Sequence, residues 1–527
     1  MPDSISRLPI RLYRAAQVQK LDQIAIEDFG IAGFKLMQTA GAIAFNEVLD
    51  RWPQIRYLQV FTGSGNNGGD GYIVAGLARE RGIGVKLIEL ADGKKLRGVA
   101  QQARQWAQDK AVELTSYREY VSGQEGKHAH TVIIDALLGT GIDRHVEGDY
   151  ALAIEDINGA GSPVLAIDIP SGLCADTGNS LGATVNADVT VTFIGMKQGL
   201  LTHRGRDFAG SIVFHDLDIP EEIFTSEAAP KPSARRIDIN YATRHLKPRI
   251  KSSHKGIHGH VIIIGGDTSY GGAALLAAEA AFRAGAGLVS CITRSAHRSA
   301  VLARRPEIMV LGTEDEDAES KALELLGKAT AIAIGPGLGQ GEWSRRLLRQ
   351  TLTVQVPGRI PLIVDADALR LLAQSERDES VLGNEFVRDA DAGTNWILTP
   401  HPGEAAALLN CSVEEIQNDR FAAVVNLQDR WGGCCLLKGS GSLLCVPDAV
   451  LVGQEQAGTE KPLFLCSEGN PGMASAGMGD VLSGLVASLA AQGLSLQESL
   501  CCGVCIHGEA ADMAVAVDGQ RGTLASD

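Results

Sequence analysis

The 527-residue sequence predicts two α/β domains, each built on a mostly parallel sheet. Three observations carry that expectation. Apolar runs of strand length alternate with segments of helical spacing through most of the chain. Many of the runs end in glycine-rich or acidic loops, and the carboxyl edge of a parallel sheet is where ligands bind. The segment 219–236, with three prolines, mixed charge and little apolar periodicity, separates one series from the other. The expected domains are therefore 1–225 and 241–527, with 226–240 as a linker.

Composition supports this and excludes some functions. Glycine is high at 61 residues and aromatic content low at 5%, which suits many tight strand-to-helix loops. The net charge of -15 makes a nucleic-acid partner unexpected. Ten cysteines, nine of them after residue 290, make no disulfide framework. Cys502 and Cys505 form a C-x-x-C inside an apolar helical pattern and read as buried free thiols. The start, MPDSISRLPIRLYRAAQ, lacks a signal-peptide core, and no charge-free apolar run reaches the ~18 residues of a membrane span. No membrane partner is expected, and a cytoplasmic, reducing location is.

In the first half, residues 14–50 have helical spacing interrupted at Gly30 and Gly33, which predicts two helices. A strand at 57–63, the loop GSGNNGGDG at 63–71, a helix and a strand at 85–90 follow. Gly63, Gly65 and Gly68 satisfy G-x-G-x-x-G, and Glu89 lies near where a ribose-binding acid would be, so a dinucleotide fold is one reading. The run Asn66-Asn67-Gly68-Gly69-Asp70 is unusual for such a loop. Its amide and carboxylate oxygens suit a hard cation such as K⁺ or Mg²⁺, although a plain Asn/Gly turn has the same composition. Two further strands, within 130–144 and 163–173, end on Asp135 and Asp168, each followed by a turn. Strands at 187–195 and 210–219 complete the sheet.

The second half opens with a strand at 260–266; the basic stretch 244–258 before it reads as a solvated lead-in. Strands at 331–339, 361–369, 395–400, 432–440 and 442–447 follow. Their loops carry Gly337 and Gly339, Asp365 and Asp367, His401-Pro402-Gly403-Glu404, and Lys438-Gly439-Ser440-Gly441-Ser442. The last has the small residues of a phosphate loop and a mobile lysine, but it joins two strands and is no Walker motif. His401 is open between a general acid–base and an ordinary hydrogen-bonding residue. The spacing of Val481, Leu482, Leu485, Val486 and Leu489 predicts a helix after a glycine-rich run ending Gly477-Met478-Gly479-Asp480. Asp480 in its first turn is either a helix cap or a base beside an anion-stabilising helix start.

Together, GSGNNGGDG, IDALLGTG and AIDIPSG resemble the NAD(P)HX epimerases, and GPGLG, VDADAL, TPHPGE, LKGSGS and GNPGMASAGMGD resemble the ADP-dependent NAD(P)HX dehydratases. The chain thus resembles the bifunctional NAD(P)H-hydrate repair enzymes over nearly its whole length. The resemblance implies an N-terminal Rossmann-like three-layer αβα domain and a C-terminal ribokinase-like α/β domain. It implies epimerisation of R- and S-NAD(P)HX in the first and ADP-dependent dehydration of the S form in the second. By that likeness, K⁺ is held by Asn67, Asp135 and Ser171. NADHX or NADPHX meets Asn66, Asn67, Gly68, Gly69, Asp70, the loop Gly139, Thr140, Gly141, Ile142, Asp143, Arg144, His145, and the acid–base Asp168. In the second domain the hydrate meets Ala273, Gly337, His401 and the base Asp480. Lys438, Gly439, Ser440, Gly441, Ser442 and Gly479 hold ADP, with Mg²⁺ as cofactor, and a homo-oligomer is expected. Two departures stand out: Met478 among small residues, and a longer acidic stretch at 375–395 read as a surface insertion. The rival readings are a ribokinase-type small-molecule kinase and a non-catalytic binding module at the N-terminus.

Overall fold

The structure, a computed structural model, describes residues 8–91, 93, 96–123, 129–358, 360–382, 395–447 and 461–527. Residues 383–394 of the expected insertion lie outside the described residues. The chain divides into two compact units, Met1–Arg235 and Arg236–Asp527.

The first unit holds strands β1 (Tyr57–Thr62), β2 (Gly84–Glu89), β3 (Leu114–Ser116), β4 (Thr131–Ala136), β5 (Val164–Ile167), β6 (Val189–Phe193) and β7 (Ser211–His215). They form one sheet in the order β3-β2-β1-β4-β5-β6-β7, every pair parallel. Side chains alternate between two cores, as the pleat requires: Val60, Ile134 and Leu165 enter one, Phe61, Ile133 and Ala166 the other. Helices Ala15–Glu27, Gly33–Arg51, Asn66–Glu80 and Gly98–Asp109 cover the first face, and Asp149–Gly159 lies on the second, giving three layers. The order reverses between β1 and β4, so the loops after these two strands flank the crevice where an open α/β sheet binds ligands. Outside the sheet, Leu12 pairs with Ala234 and, on its other side, with Met196.

The second unit contains β8 (His260–Ile264), β9 (Leu288–Thr293), β10 (Met309–Gly312), β11 (Ala331–Ile334), β12 (Leu362–Val364), β13 (Trp396–Leu398), β14 (Cys434–Leu437), β15 (Ser442–Cys445) and β16 (Leu463–Cys466). Their order is β10-β9-β8-β11-β12-β13-β14-β15-β16, parallel as far as β14 and antiparallel beyond it. Val261, Ile263, Ala331, Ala333, Ile363 and Ile397 face a core shared with helices Gly271–Arg283, Met478–Ala491 and Leu496–Asp518. Helices Gly271–Arg283 and Met478–Ala491 touch at backbone distance, since a Cβ on Gly484 would lie 1.9 Å from the Ala277 carbonyl oxygen. By length and composition Leu496–Asp518 is apolar enough to cross a membrane; Leu500, Cys501, Val504 and Cys505 instead fill this core. All ten cysteines are free, and both thiols of the C-x-x-C are buried.

Candidate active sites

The first site gathers at the β1/β4 switch point. Helix Asn66–Glu80 begins at Asn66, so NNGGD forms its opening turn and is no loop, contrary to the sequence-based expectation. The glycines are there for packing. A Cβ on Gly68 would sit 2.3 Å from the Gly63 carbonyl oxygen, and one on Gly71 2.7 Å from the Ala136 Cβ, so the helix start can press onto the strand ends only without side chains. Glu89 is no ribose ligand either. It accepts from Arg104 Nε at 2.7 Å and from the Tyr72 hydroxyl at 2.6 Å.

A cavity of about 530 Å³ opens beside this turn, lined by Asn66, Asn67, Asp70, the segment Gly139 to Arg144, Asp168, and two residues the sequence did not single out, Asp22 and Lys197. Gly68 and Gly69, expected to meet substrate, are buried in the helix start and do not line it, and His145 belongs to an adjoining cavity of about 1110 Å³ with Arg144, Asn66 and Arg97. Asp168 follows β5 directly and adopts φ 66°, a left-handed conformation that aspartate and asparagine enter more readily than most side chains. Its Oδ1 takes the ammonium of buried Lys197, and the Thr192 hydroxyl and Phe193 N–H also donate to it, at 3.2 and 3.3 Å. Asp70 is different. Burial raises its carboxyl well above the ordinary range, the charges of Asp168 and Asp22 raise it further, and Lys197 opposes them. Burial, then the charge of Asp168, raises Asp22 as well, and Lys197 opposes them.

Behind the cavity lies a second cluster. Asp135 is fully buried; Ser171 Oγ donates to its Oδ1 at 2.6 Å and Ser171 N–H to its Oδ2 at 2.8 Å. Burial lifts the Asp135 carboxyl to about 6, although Ser171 pulls it down. Asn67 donates to the Leu138 carbonyl at 3.1 Å, while its Oδ1 is buried with no hydrogen-bond partner. An orphaned carbonyl oxygen beside a buried carboxylate and a hydroxyl is a donor set that fits a hard monovalent cation.

The second site surrounds the start of helix Met478–Ala491. Gly477, at φ 92°, is the helix cap, so the capping role left open for Asp480 is excluded; Asp480 is the third helical residue. Burial pushes its carboxyl up to about 7; Asp365, Asp367 and Glu404 add to the shift and Lys438 opposes it. Lys438 is held rather than mobile: its ammonium is 2.6 Å from Asp365 Oδ1 and 3.9 Å from Glu404 Oε2. Asp365 Oδ2 also accepts from Ser483 Oγ at 2.6 Å, which ties β12 to the Asp480 helix. A Cβ on Gly479 would lie 3.3 Å from Lys438 Nζ, so this glycine opens the space between the hairpin and the helix. Gly439 and Gly441 take φ 142° and 65°, and the buried Arg420 guanidinium binds the Leu437, Lys438 and Gly441 carbonyls from below, fixing the hairpin. Ser440 and Gly439 are exposed at its tip, and Ser442 begins β15.

His401 caps helix Pro402–Leu409, its Nδ1 accepting from Gly403 N–H at 3.0 Å; burial and Lys438 hold its pKa below the ordinary value. The ring is therefore neutral, and its Nε2 lies 3.2 Å from Glu404 Oε1. Burial raises the Glu404 carboxyl to about 7. Gly337, at φ 59°, approaches Ala273: a Cβ on Gly337 would meet the Ala273 Cβ at 3.0 Å and the Tyr270 carbonyl at 2.5 Å. Lys197, Asp22 and Arg420 carry no local motif, and only the fold brings them in. Glu404 and Asp365 stood inside quoted motifs without an assigned role.

A family described as NAD(P)H-hydrate dehydratase matches residues 261–527, and one described as YjeF-related protein N-terminus matches 33–199. The bifunctional NAD(P)H-hydrate repair enzyme of Coxiella burnetii is 39% identical over 518 residues, 98% of this chain and 97% of its own. That of Escherichia coli (strain K12) is 39% identical over 521 residues, 99% and 93%. The chain belongs to the bifunctional NAD(P)H-hydrate repair enzymes. Both candidate sites fall within the matched stretches, except Asp22, which precedes the first. Among solved structures, the ADP/ATP-dependent NAD(P)H-hydrate dehydratase of Bacillus subtilis, co-crystallized with ATP/Mg2+, is 25% identical with a TM-score of 0.45, over 55% of this chain and 94% of its own.

Proposed function

We propose that the first unit interconverts R- and S-NADHX or NADPHX and that the second dehydrates the S form with ADP, giving NAD(P)H, AMP and phosphate. The observation that carries this is Asp480: a carboxyl raised to about 7, three residues into a glycine-capped helix, beside the Lys438 ammonium. Asp480 takes the proton of the C6 hydroxyl, whose oxygen attacks the terminal phosphoryl group. The free N–H groups of the helix start and Lys438 stabilise the charge in transfer. Phosphate then leaves C6, pushed by the ring-nitrogen lone pair, and loss of a proton from C5 to solvent restores the dihydropyridine. Asp365, Asp367 and Glu404 offer oxygen donors that suit Mg²⁺, which when bound would offset charge on the nucleotide phosphates. The test is recovery of reduced-nicotinamide absorbance from purified hydrate with ADP, ATP or neither. A stable phosphorylated product with no recovery would make the chain a kinase.

The same geometry fixes a pH response. A base with a pKa of about 7 gives kcat/KM for dehydration an ascending limb centred near pH 7. Lys438 lowers that value, so Lys438→Met should move the limb to higher pH. Steady-state rates from pH 5.5 to 9 read both, and a limb unmoved by the substitution would place the base elsewhere.

In the first unit, epimerisation needs one group to take a proton and another to return it while a bond at C6 opens and re-closes. Asp70, raised by burial and its acidic neighbours, supplies the acid, and Asp168 the base. Asn67, Asp135 and Ser171 would hold K⁺, whose charge would steady the loop around Leu138. Epimerase activity should therefore rise with K⁺ over Na⁺ or choline. Asn67→Ala should raise the K⁺ concentration for half-activation about tenfold. An unchanged K⁺ response in the variant would remove Asn67 from the ligand set.

A further inference from the structure

The strand β16 ends on Cys466, and Glu468 follows two residues later, so both side chains leave the same face of extended chain. Cys505, in the third turn of helix Leu496–Asp518, meets them there. Two sulfurs and a carboxylate oxygen lie within 4.8 Å of one another, with Cys466 Sγ 4.0 Å from Glu468 Oε2. Both cysteines are buried and Glu468 is partly buried. The surroundings are acidic: Asp238, Glu509 and Asp512 crowd Glu468, which burial first and these charges next raise to about 7. The other carboxylate oxygen of Glu468 accepts the Ile239 N–H at 2.7 Å, which aims the group. None of these atoms takes part in the chemistry of either active site.

We propose that Cys466, Glu468 and Cys505 form a binding site for a borderline-soft divalent cation of the Zn²⁺ class. Thiolate sulfur with carboxylate oxygen is the donor set such an ion selects, and hard cations do not. A tetrahedral ion with sulfur at ~2.3 Å sets its ligand atoms roughly 3.5–4 Å apart, so the observed spacing closes by side-chain adjustment alone. With three protein donors, a solvent ligand would complete the coordination. Binding displaces the two thiol protons, and the glutamic-acid proton where one is present, so the ion replaces positive charge rather than adding it unbalanced. The ion would staple β16 to helix Leu496–Asp518. The same helix, through Asp512, accepts from Gly469 N–H at 2.9 Å and Asn470 Nδ2 at 2.7 Å, at the head of the segment leading to Asp480. The site is thus structural, placed to hold that segment in register.

The experiment uses the full chain, reduced and stripped with chelator, then titrated with Co²⁺, whose thiolate charge-transfer absorption reports sulfur ligation. One Co²⁺ per chain is expected, with the sulfur band, displaced by Zn²⁺. Cys466→Ser and Cys505→Ser should each remove the band, while Cys174→Ser and Cys411→Ser, at the two thiols that are not buried, leave it unchanged. Glu468→Gln, which keeps the core sulfurs and so the fold, should weaken binding at least about tenfold. A reduced chain that takes up no Co²⁺, a band that survives both buried-cysteine substitutions, or a Glu468→Gln protein of unchanged affinity would each overturn the proposal.

Discussion

Asp480→Asn should lower the dehydration rate about a thousandfold and leave R-to-S exchange at its original rate. The amide matches the carboxylate in shape but cannot accept the hydroxyl proton. The helix start does not depend on the replaced group, because Gly477 is the cap. The Lys438–Asp365 pair and the Ser483–Asp365 hydrogen bond also remain. The exchange reaction depends on residues of a different compact unit. A stability signature accompanies the loss. The folded Asp480 carboxyl sits at about 7 against an ordinary 3.8, so between those values the folded chain binds more protons than the unfolded one. Its contribution to stability therefore falls as pH rises from about 4 to 7. The asparagine variant, which carries no such group, should gain more thermal stability at pH 8 than at pH 5. Hydrate turnover by both activities, with melting at the two pH values, checks this. An Asp480→Asn protein that dehydrates at the wild-type rate would remove Asp480 as the base.

The strands were legible because both faces of a parallel sheet are covered, so β1, β4, β8 and β11 read as nearly continuous apolar runs. Asp135 and Asp168 were legible for the same reason: a charge that ends such a run must lie at the strand's carboxyl end. Two kinds of feature were not. In NNGGD the glycines look like loop residues locally, yet they serve helix-on-strand packing, visible only once Gly68 faces the Gly63 carbonyl. Lys197, Asp22 and Arg420 belong to no motif. Lys197 lies in the two-residue strand Met196–Lys197, and its role exists only because Asp168, twenty-nine residues earlier, points at it. Tertiary structure, not local pattern, turns such a lysine from a surface residue into the counter-charge of a cavity carboxylate.

The second large effect falls on the other unit, and the choice of substitution decides whether it can be read. Asp168→Ala would strip the partner from a lysine that is 1% exposed, and leaving one half of a buried ion pair costs about 3–5 kcal/mol. Alanine also fits poorly at φ 66°. Loss of epimerisation in that protein could be loss of the fold. Asp168→Asn avoids the backbone fault and keeps the hydrogen-bond acceptor, although Lys197 still loses its counter-charge. Its amide oxygen still accepts from Lys197, Thr192 and Phe193, and asparagine tolerates the left-handed backbone. What it lacks is a base. The expected result is an R-to-S exchange rate reduced about a thousandfold in a folded protein that melts below the wild type, with undiminished dehydration of S-hydrate. Asp70→Asn should cut exchange too, since Asp70 is the carboxyl that burial, Asp168 and Asp22 push well above its ordinary range. The two variants separate the roles. If Asp168 is the base, its variant loses proton abstraction, whereas the Asp70 variant loses proton return. An Asp168→Asn protein that exchanged the epimers at the wild-type rate would move the base to Asp22 or Asp70 and leave Asp168 as the residue that orients Lys197.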